Sequence, residues 1–389
     1  MSTNANTLTP AVDGKRYLWV WGIIVAFLPM IGGAMATLTG WPVLWFFAPF
    51  FVYAVVPLAD YIVGEDATNP DESALEQLED DPYYRWCTYL FIPVQYVVIV
   101  WAAWLVGSGS LGWIALAGLT WSAGIVSGIG INTAHELGHK KPSSERWLSR
   151  IALAPVAYGH FYVEHNKGHH RHVATPEDPA SARMGESFYS FLPRTVIGSV
   201  RSAWHIEKTR LARKGRGPWT WENEILQAWS LTVVFFGVLT VLFGWMALAF
   251  LIVQAAIGAS LLEAVNYVEH YGLLRAKKED GRYERCQPRH SWNNNHIVTN
   301  VLLYHLQRHS DHHAHPTRRY QALRHFEEAP QLPSGYAGMI FLAYFPPLWY
   351  RVMDPKVVAH HHGDIRHANL QPGQRERLLR AYPVPRGAG

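Results

Sequence analysis

Six stretches of this 389-residue sequence are long and apolar enough to cross a lipid bilayer, and no other feature limits its fold so tightly. A hydrocarbon layer of roughly 30 Å needs about 20 helical residues. Only a helix or a closed barrel satisfies its own backbone there. The runs lie at about Tyr17–Leu38, Pro42–Gly64, Cys87–Val106, Leu111–Ile131, Ala228–Leu248 and Phe250–His270. The first and second, the third and fourth, and the fifth and sixth are joined by only a few residues, whereas the other connections are long. The expected fold is all-α: six transmembrane helices arranged as three hairpins, with every large polar segment on one face. A soluble bundle is the competing reading, but helices apolar on all sides could not be shielded from water.

Charge placement gives the orientation independently. Every Lys and Arg lies in the N-terminal stretch, at Arg85, between Lys140 and Arg216, or from Arg275 onward, and none lies in the three short connections. By the positive-inside rule the long loops and both termini are cytoplasmic, as for a multi-pass protein of a bacterial inner membrane. Met1–Gly14 is polar and does not read as a secretory signal. Cys87 and Cys286 are the two cysteines, too few for a disulfide framework, a thiolate zinc site or an iron–sulfur centre.

Against that sparse background stand 21 histidines, and the informative ones fall in four clusters. The fourth run leads into His135-Glu136-Leu-Gly-His139. The long loop holds Glu164-His165-Asn-Lys-Gly-His169-His170. The sixth run ends in Asn266-Tyr-Val-Glu269-His270, and the C-terminal region carries His309-Ser-Asp311-His312-His313. On a helix, residues three or four apart share a face. That spacing is expected to aim His135 with His139, His165 with His169, and His309 with His312 and His313. All four clusters sit at the same membrane boundary, so nine histidines can converge there. Imidazole suits iron, zinc, copper or nickel. Nine ligands are too many for one ion but fit two with positions left open. Paired redox metals beside a lipid-facing cavity suggest oxygen activation on an apolar substrate. A single interfacial histidine is usually a surface or capping residue, and His160, His172, His205, His290, His296, His305, His315 and His325 are read as groups behind the ligands or at the surface. The run His360–His362 reads as a solvated tract. His135–His139 also matches the H-E-x-x-H pattern of zinc proteases, but a protease site leaves most of the clustered histidines unexplained.

The stretches NTAHELGHKK (132–141), EHNKGHHRHVATPEDPASAR (164–183), NYVEHYGLL (266–274) and LQRHSDHHAHP (306–316) resemble the integral-membrane alkane monooxygenases. These belong to the wider group of membrane fatty-acid desaturases, hydroxylases and xylene monooxygenases. The resemblance runs from about Tyr17 to Pro355 and lacks no ligand position. It implies two non-haem irons ligated by His135, His139, His165, His169, His170, His270, His309, His312 and His313. It also implies dioxygen as co-substrate, electrons from rubredoxin with its reductase upstream, and hydroxylation of a linear alkane at its terminal carbon. Desaturation, or hydroxylation of an aromatic methyl, is the alternative within the same group. No C-x-x-C pair is present, so the rubredoxin must be a separate protein or a domain beyond residue 389. Nucleic acid is not an expected partner.

Glu136, Glu164, Glu269 and Asp311 adjoin these histidines and are candidates to orient them, and Asn266 shares a helical face with His270. Pro49, Val52, Val56 and Asp60 recur at helical spacing on the second run among bulky neighbours. Val52 and Val56 are therefore the expected lining of a narrow substrate channel. Gly335–Met353, broken by Pro346–Pro347, is expected to lie at the membrane surface. The membrane-bound domain is expected to span 1–355, with 356–389 as a tail or linker.

Overall fold

The computed structural model describes residues 13–384. Among them the chain is all-helical, with only isolated bridges and no strand. Six helices are long and apolar enough to cross a membrane: Arg16–Thr39, Pro42–Val63, Pro82–Gly107, Trp113–Gly138, Glu224–Phe243 and Trp245–His270. Local signals set their ends. Asp81 accepts from the amide of Tyr83 at 2.8 Å with Pro82 in the first helical position, and Asn223 caps the fifth span through Ile225. Each short connection contains a glycine in the left-handed region, Gly40, Gly109 or Gly244, where a side chain would be strained.

Gly244 corrects one expected boundary. Ala228–Leu248 reads as a continuous apolar run, but the fifth helix starts earlier, at its Asn223 cap, and stops at Phe243. The fourth helix also continues past Ile131 through Gly138, so His135 lies in its last turn. Polar residues end an apolar run in the sequence without ending the helix.

The fourth span is the centre of the molecule: 78% of its most apolar window is buried, against 17–44% for the other five. Its small residues allow close approach, and its closest partner is the sixth span. A methyl group placed on Gly258 would lie 3.0 Å from the backbone nitrogen of Gly128 and 3.1 Å from the carbonyl oxygen of Gly124. Such small-residue contacts drive helix association where no hydrophobic effect operates. Trp41, Trp113 and Trp245 are exposed at the ends joined by short connections, as membrane-interface aromatics are.

The segment from Gly335 onward is more closely packed than its sequence suggests. Gly335–Met353 is two helices, Tyr336–Ala343 and Pro346–His360, and Pro346 and Pro347 open the second. The first turns Tyr336, Ala337, Met339 and Ile340 into the core beside the sixth span, though Phe341 and Phe345 remain exposed. The second runs through the expected boundary at 355. Beyond it, Ile365, Ala368, Leu370 and Leu378 are buried, and Met184 exchanges backbone bonds with Asn369 and Gln371. The expected tail is thus packed as far as it is described. Its last residues, 385–389, lie outside the described part.

Candidate metal centre

The nine clustered histidines come together as two groups. His135, His139, His165, His170 and His312 form one, and His169, His270, His309 and His313 the other, with one ring nitrogen from each residue within 4.8 Å of the rest of its group. The groups adjoin: the rings of His170 and His313 lie 4.4 Å apart.

The division is not the one helical spacing suggests. Residues 164–169 form a π-turn, so the residue five along comes round to the same side. His165 therefore pairs with His170, Nε2 to Nε2 at 3.1 Å, and His169 turns to the other group. On the short helix His309–Ala314, His309 and His313 stay together with Nε2 atoms 2.9 Å apart, while His312 points to His135 at 2.8 Å. Expected partners separate because each group draws one histidine from the neighbouring turn.

The donor set fits metal ions. Burial pushes His139, His165, His170, His309, His312 and His313 well below the usual imidazole range, so these rings are neutral and offer lone pairs. Nε2 atoms face one another at 2.8–3.2 Å. Two ligands at right angles around an ion with bonds of about 2.1 Å would stand about 3.0 Å apart. Nε2 of His139 and of His169 is buried without a protein partner. At the remote nitrogens, His169 Nδ1 meets Asp178 Oδ2 at 2.9 Å and His270 Nδ1 faces the carbonyl oxygen of His290 at 3.2 Å. Those contacts turn Nε2 inward.

Asp178 is the orienting carboxylate that sequence reasoning missed. Burial alone would raise it, but His169 and Ser181 hold it down to about 2. It lies nine residues beyond its histidine in an irregular loop, where no periodicity links the two. The carboxylates expected to orient histidines are placed otherwise. Glu136 pairs with Lys140 at 2.9 Å, and Asp311 binds Arg318, Arg324 and His315. Neither is hydrogen-bonded to a clustered imidazole; both tie their helices to the segment 315–324 or to Lys140. Glu269 does reach His309, but at Nε2, 3.2 Å away, on the inward side. Glu164 borders a small polar pocket, where burial pushes its carboxyl up to about 7. Asn266 donates to Glu263 at 3.1 Å.

An apolar cavity ends on both groups. Its walls include Val25, Val52, Val56, Ile129, Leu261 and Ile340, and it reaches His135 and His165 of one group and His309 of the other. Asn266 and Glu269 border it as well. Val52 lies in a second π-turn, Phe51–Val55, just before Pro57. Proline has no N–H for the carbonyl one turn back, so the helix widens. Asp60, further along the same span, holds the amide of Thr299 at 2.9 Å and its hydroxyl at 2.5 Å. Of the other histidines, His160, His290 and His305 are buried beside the core, and His361 donates to the carbonyl of Gly272 at 3.2 Å rather than lying in a solvated tract.

A model of the fatty acid desaturase family matches residues 111–343. Alkane 1-monooxygenase 1 of Alcanivorax borkumensis is 48% identical over 365 residues, 94% of this chain and 90% of that protein. Alkane 1-monooxygenase of Ectopseudomonas oleovorans is 49% identical over 371 residues, 95% and 92% of the two chains. The hydroxylase component of xylene/toluene monooxygenase from Pseudomonas putida is 31% identical over 271 residues, 68% of each.

Proposed function

Because this chain belongs to the alkane 1-monooxygenases of the fatty acid desaturase family, we propose that it hydroxylates the terminal methyl of a linear alkane at two irons held by the nine histidines. Dioxygen would be the co-substrate and rubredoxin the electron donor. The observation that carries the reading is the apolar cavity that reaches both histidine groups at one end. An unactivated C–H bond offers no handle for acid–base catalysis, so bound iron would supply the oxidising chemistry. The protein's part is placement and dryness. Val25, Val52, Val56, Leu261 and Ile340 give the alkane a wall without hydrogen-bonding groups. A linear chain in such a space presents its methyl end to the histidines by shape alone. Asp178 and the carbonyl of His290 fix two of the rings from behind.

The test is purified protein supplied with octane, dioxygen, rubredoxin and its reductase, with products identified by mass. 1-Octanol is the expected product; an alkene or an internal alcohol overturns the terminal assignment. The xylene/toluene relative favours a second substrate class, methyl-substituted arenes, which the same assay on toluene addresses.

Val52 stands on the cavity wall, in the wide turn of the second span. Val52→Trp is therefore expected to shift preference towards shorter alkanes while iron content and terminal selectivity hold. Rates across a series of chain lengths decide this, and an unchanged profile in an iron-replete variant places Val52 outside the substrate path.

For orientation, we read the long loops and termini as cytoplasmic, since the short connections carry no Lys or Arg. Basic groups then concentrate on the face an acidic electron carrier would meet. Turnover at subsaturating rubredoxin is expected to fall roughly tenfold between about 0.05 and 0.5 M salt, as screening removes the attraction. A flat profile under encounter-limited conditions rules out charge-steered docking.

A further inference from the structure

Hydroxylation with dioxygen consumes protons. One oxygen atom enters the C–H bond, and the other leaves as water with two protons and two electrons from the donor. The alkane cavity is walled mostly by aliphatic side chains, with Asn132, Asn266, Thr299 and Glu269 as its polar lining beside the histidines. Its one bordering carboxylate, Glu269, is seated against Nε2 of His309. A second pocket adjoins this cavity, sharing Phe161, His165 and Asn266 with it.

It is small, and Tyr158, His160, Glu164, Ser199, Glu263 and Asn266 line it together with Phe161, Ala180 and the edges of His165 and His169. His160, Glu164 and Glu263 are each at least 97% buried. Nε2 of His160 has no protein partner. Polar atoms buried in this way call for a bound water, which needs several such partners. Glu263 lies in the sixth span, about two turns inside its His270 end. An ionisable group at such a depth is costly and marks function more often than packing. Its contacts are neutral donors: Tyr158 Oη at 2.7 Å, Thr195 Oγ1 at 2.8 Å and Asn266 Nδ2 at 3.1 Å. Asn266 borders both the polar pocket and the alkane cavity. Thr195 and Ser199, one turn apart on the helix Phe188–Ala212, extend the polar line along an element whose end carries basic residues.

We propose that Glu263, with Tyr158 and water in this pocket, relays to the reaction site the protons that each hydroxylation consumes. The proposal rests on the monooxygenase reading above. Protonated Glu263 gives up its proton towards the reaction site, where it is consumed in the oxygen atom that leaves as water, and the carboxylate is reprotonated through pocket water from solvent. No bond to carbon is made or broken by it. It positions and supplies protons; it does not touch the alkane.

Glu263→Gln keeps the size of the side chain and an oxygen acceptor but cannot carry a proton. The variant is expected to retain wild-type iron and KM for octane. Alcohol formed per electron pair should fall roughly tenfold, with the electrons recovered as hydrogen peroxide and an enlarged solvent deuterium isotope effect. Glu263→Asp should restore part of the coupling. A purely structural carboxylate would not move the isotope effect, and wild-type coupling in iron-replete Glu263→Gln overturns the proposal. A second measurement uses metal-free wild-type protein and needs no turnover. Radiolytic hydroxyl-radical footprinting labels side chains that touch bound water, so Tyr158 should be modified well above Phe191, although both are buried. An unlabelled Tyr158 removes the water pocket and the relay with it. Labelled Tyr158 in a protein that makes no alcohol overturns the monooxygenase reading and its relay, leaving the pocket as a hydrated cavity.

Discussion

His312→Ala is expected to leave at most about one iron per chain and to lower alkane hydroxylation by well over 100-fold, beyond the roughly 10–100-fold typical of losing an outer partner. Its Nε2 stands 2.8 Å from that of His135 and 3.1 Å from that of His170, so it is a shared corner of the five-histidine group. No other described imidazole lies close enough to take its place, because His309 and His313, its neighbours on the same short helix, face the second group. The exposed His205, distant in function from both groups, serves as the control, and His205→Ala should keep its iron and its rate. Elemental analysis beside the octane assay reads both. Full iron retention in His312→Ala removes it from the ligand set, and active wild-type protein holding one zinc and no iron removes the di-iron reading altogether.

Asp178→Asn should act on the other group and more gently. The carboxylate meets Nδ1 of His169 at 2.9 Å, and also accepts from the hydroxyl of Ser181 at 2.6 Å and the amide of Ala180 at 3.0 Å. Asparagine can accept from the Ala180 amide on its one oxygen and donate from its NH2 to the Ser181 hydroxyl, so the loop should fold. It cannot supply the negative charge that makes the imidazole a stronger donor. Iron held by the four-histidine group is expected to exchange into a chelator roughly 10–100 times more readily, with activity falling in step. Iron retention identical to wild type would reduce Asp178 to a local turn cap.

The contrast between these two residues shows what the sequence could and could not disclose. His312 was visible because a ligand cluster announces itself by spacing on a short helix, whatever surrounds it. Asp178 was not, since its partner is reached through an irregular loop whose path only tertiary packing decides. The π-turn at 164–169 was hidden for a related reason: a histidine five residues from another carries no helical signal, so His165 was matched with His169 instead of His170. Six apolar runs gave the spans directly, yet composition placed the end of the fifth several residues late, because the break at Gly244 depends on backbone conformation and not on polarity. Glu263 is legible too: with Glu269 it is one of two carboxylates in the sixth apolar run, three residues before Asn266 and seven before His270.

The glycine contact between the fourth and sixth spans has a consequence for how such an enzyme can change. Each of those helices carries a histidine at its C-terminal end, His135 on the fourth and His270 on the sixth, and they meet backbone to backbone at Gly124, Gly128 and Gly258. The separation of the two histidine groups is therefore gauged against a rigid beam that no side-chain repacking can lengthen. The opposite wall of the cavity, with Val52, Val56 and Ile340, is made of interchangeable aliphatic groups on a widened turn and a short helix. Substitutions there can retune the depth of the pocket while the anvil against which the chemistry is struck stays fixed. The molecule thus divides into a part that tolerates drift and a part that does not, and the line between them runs along the cavity itself.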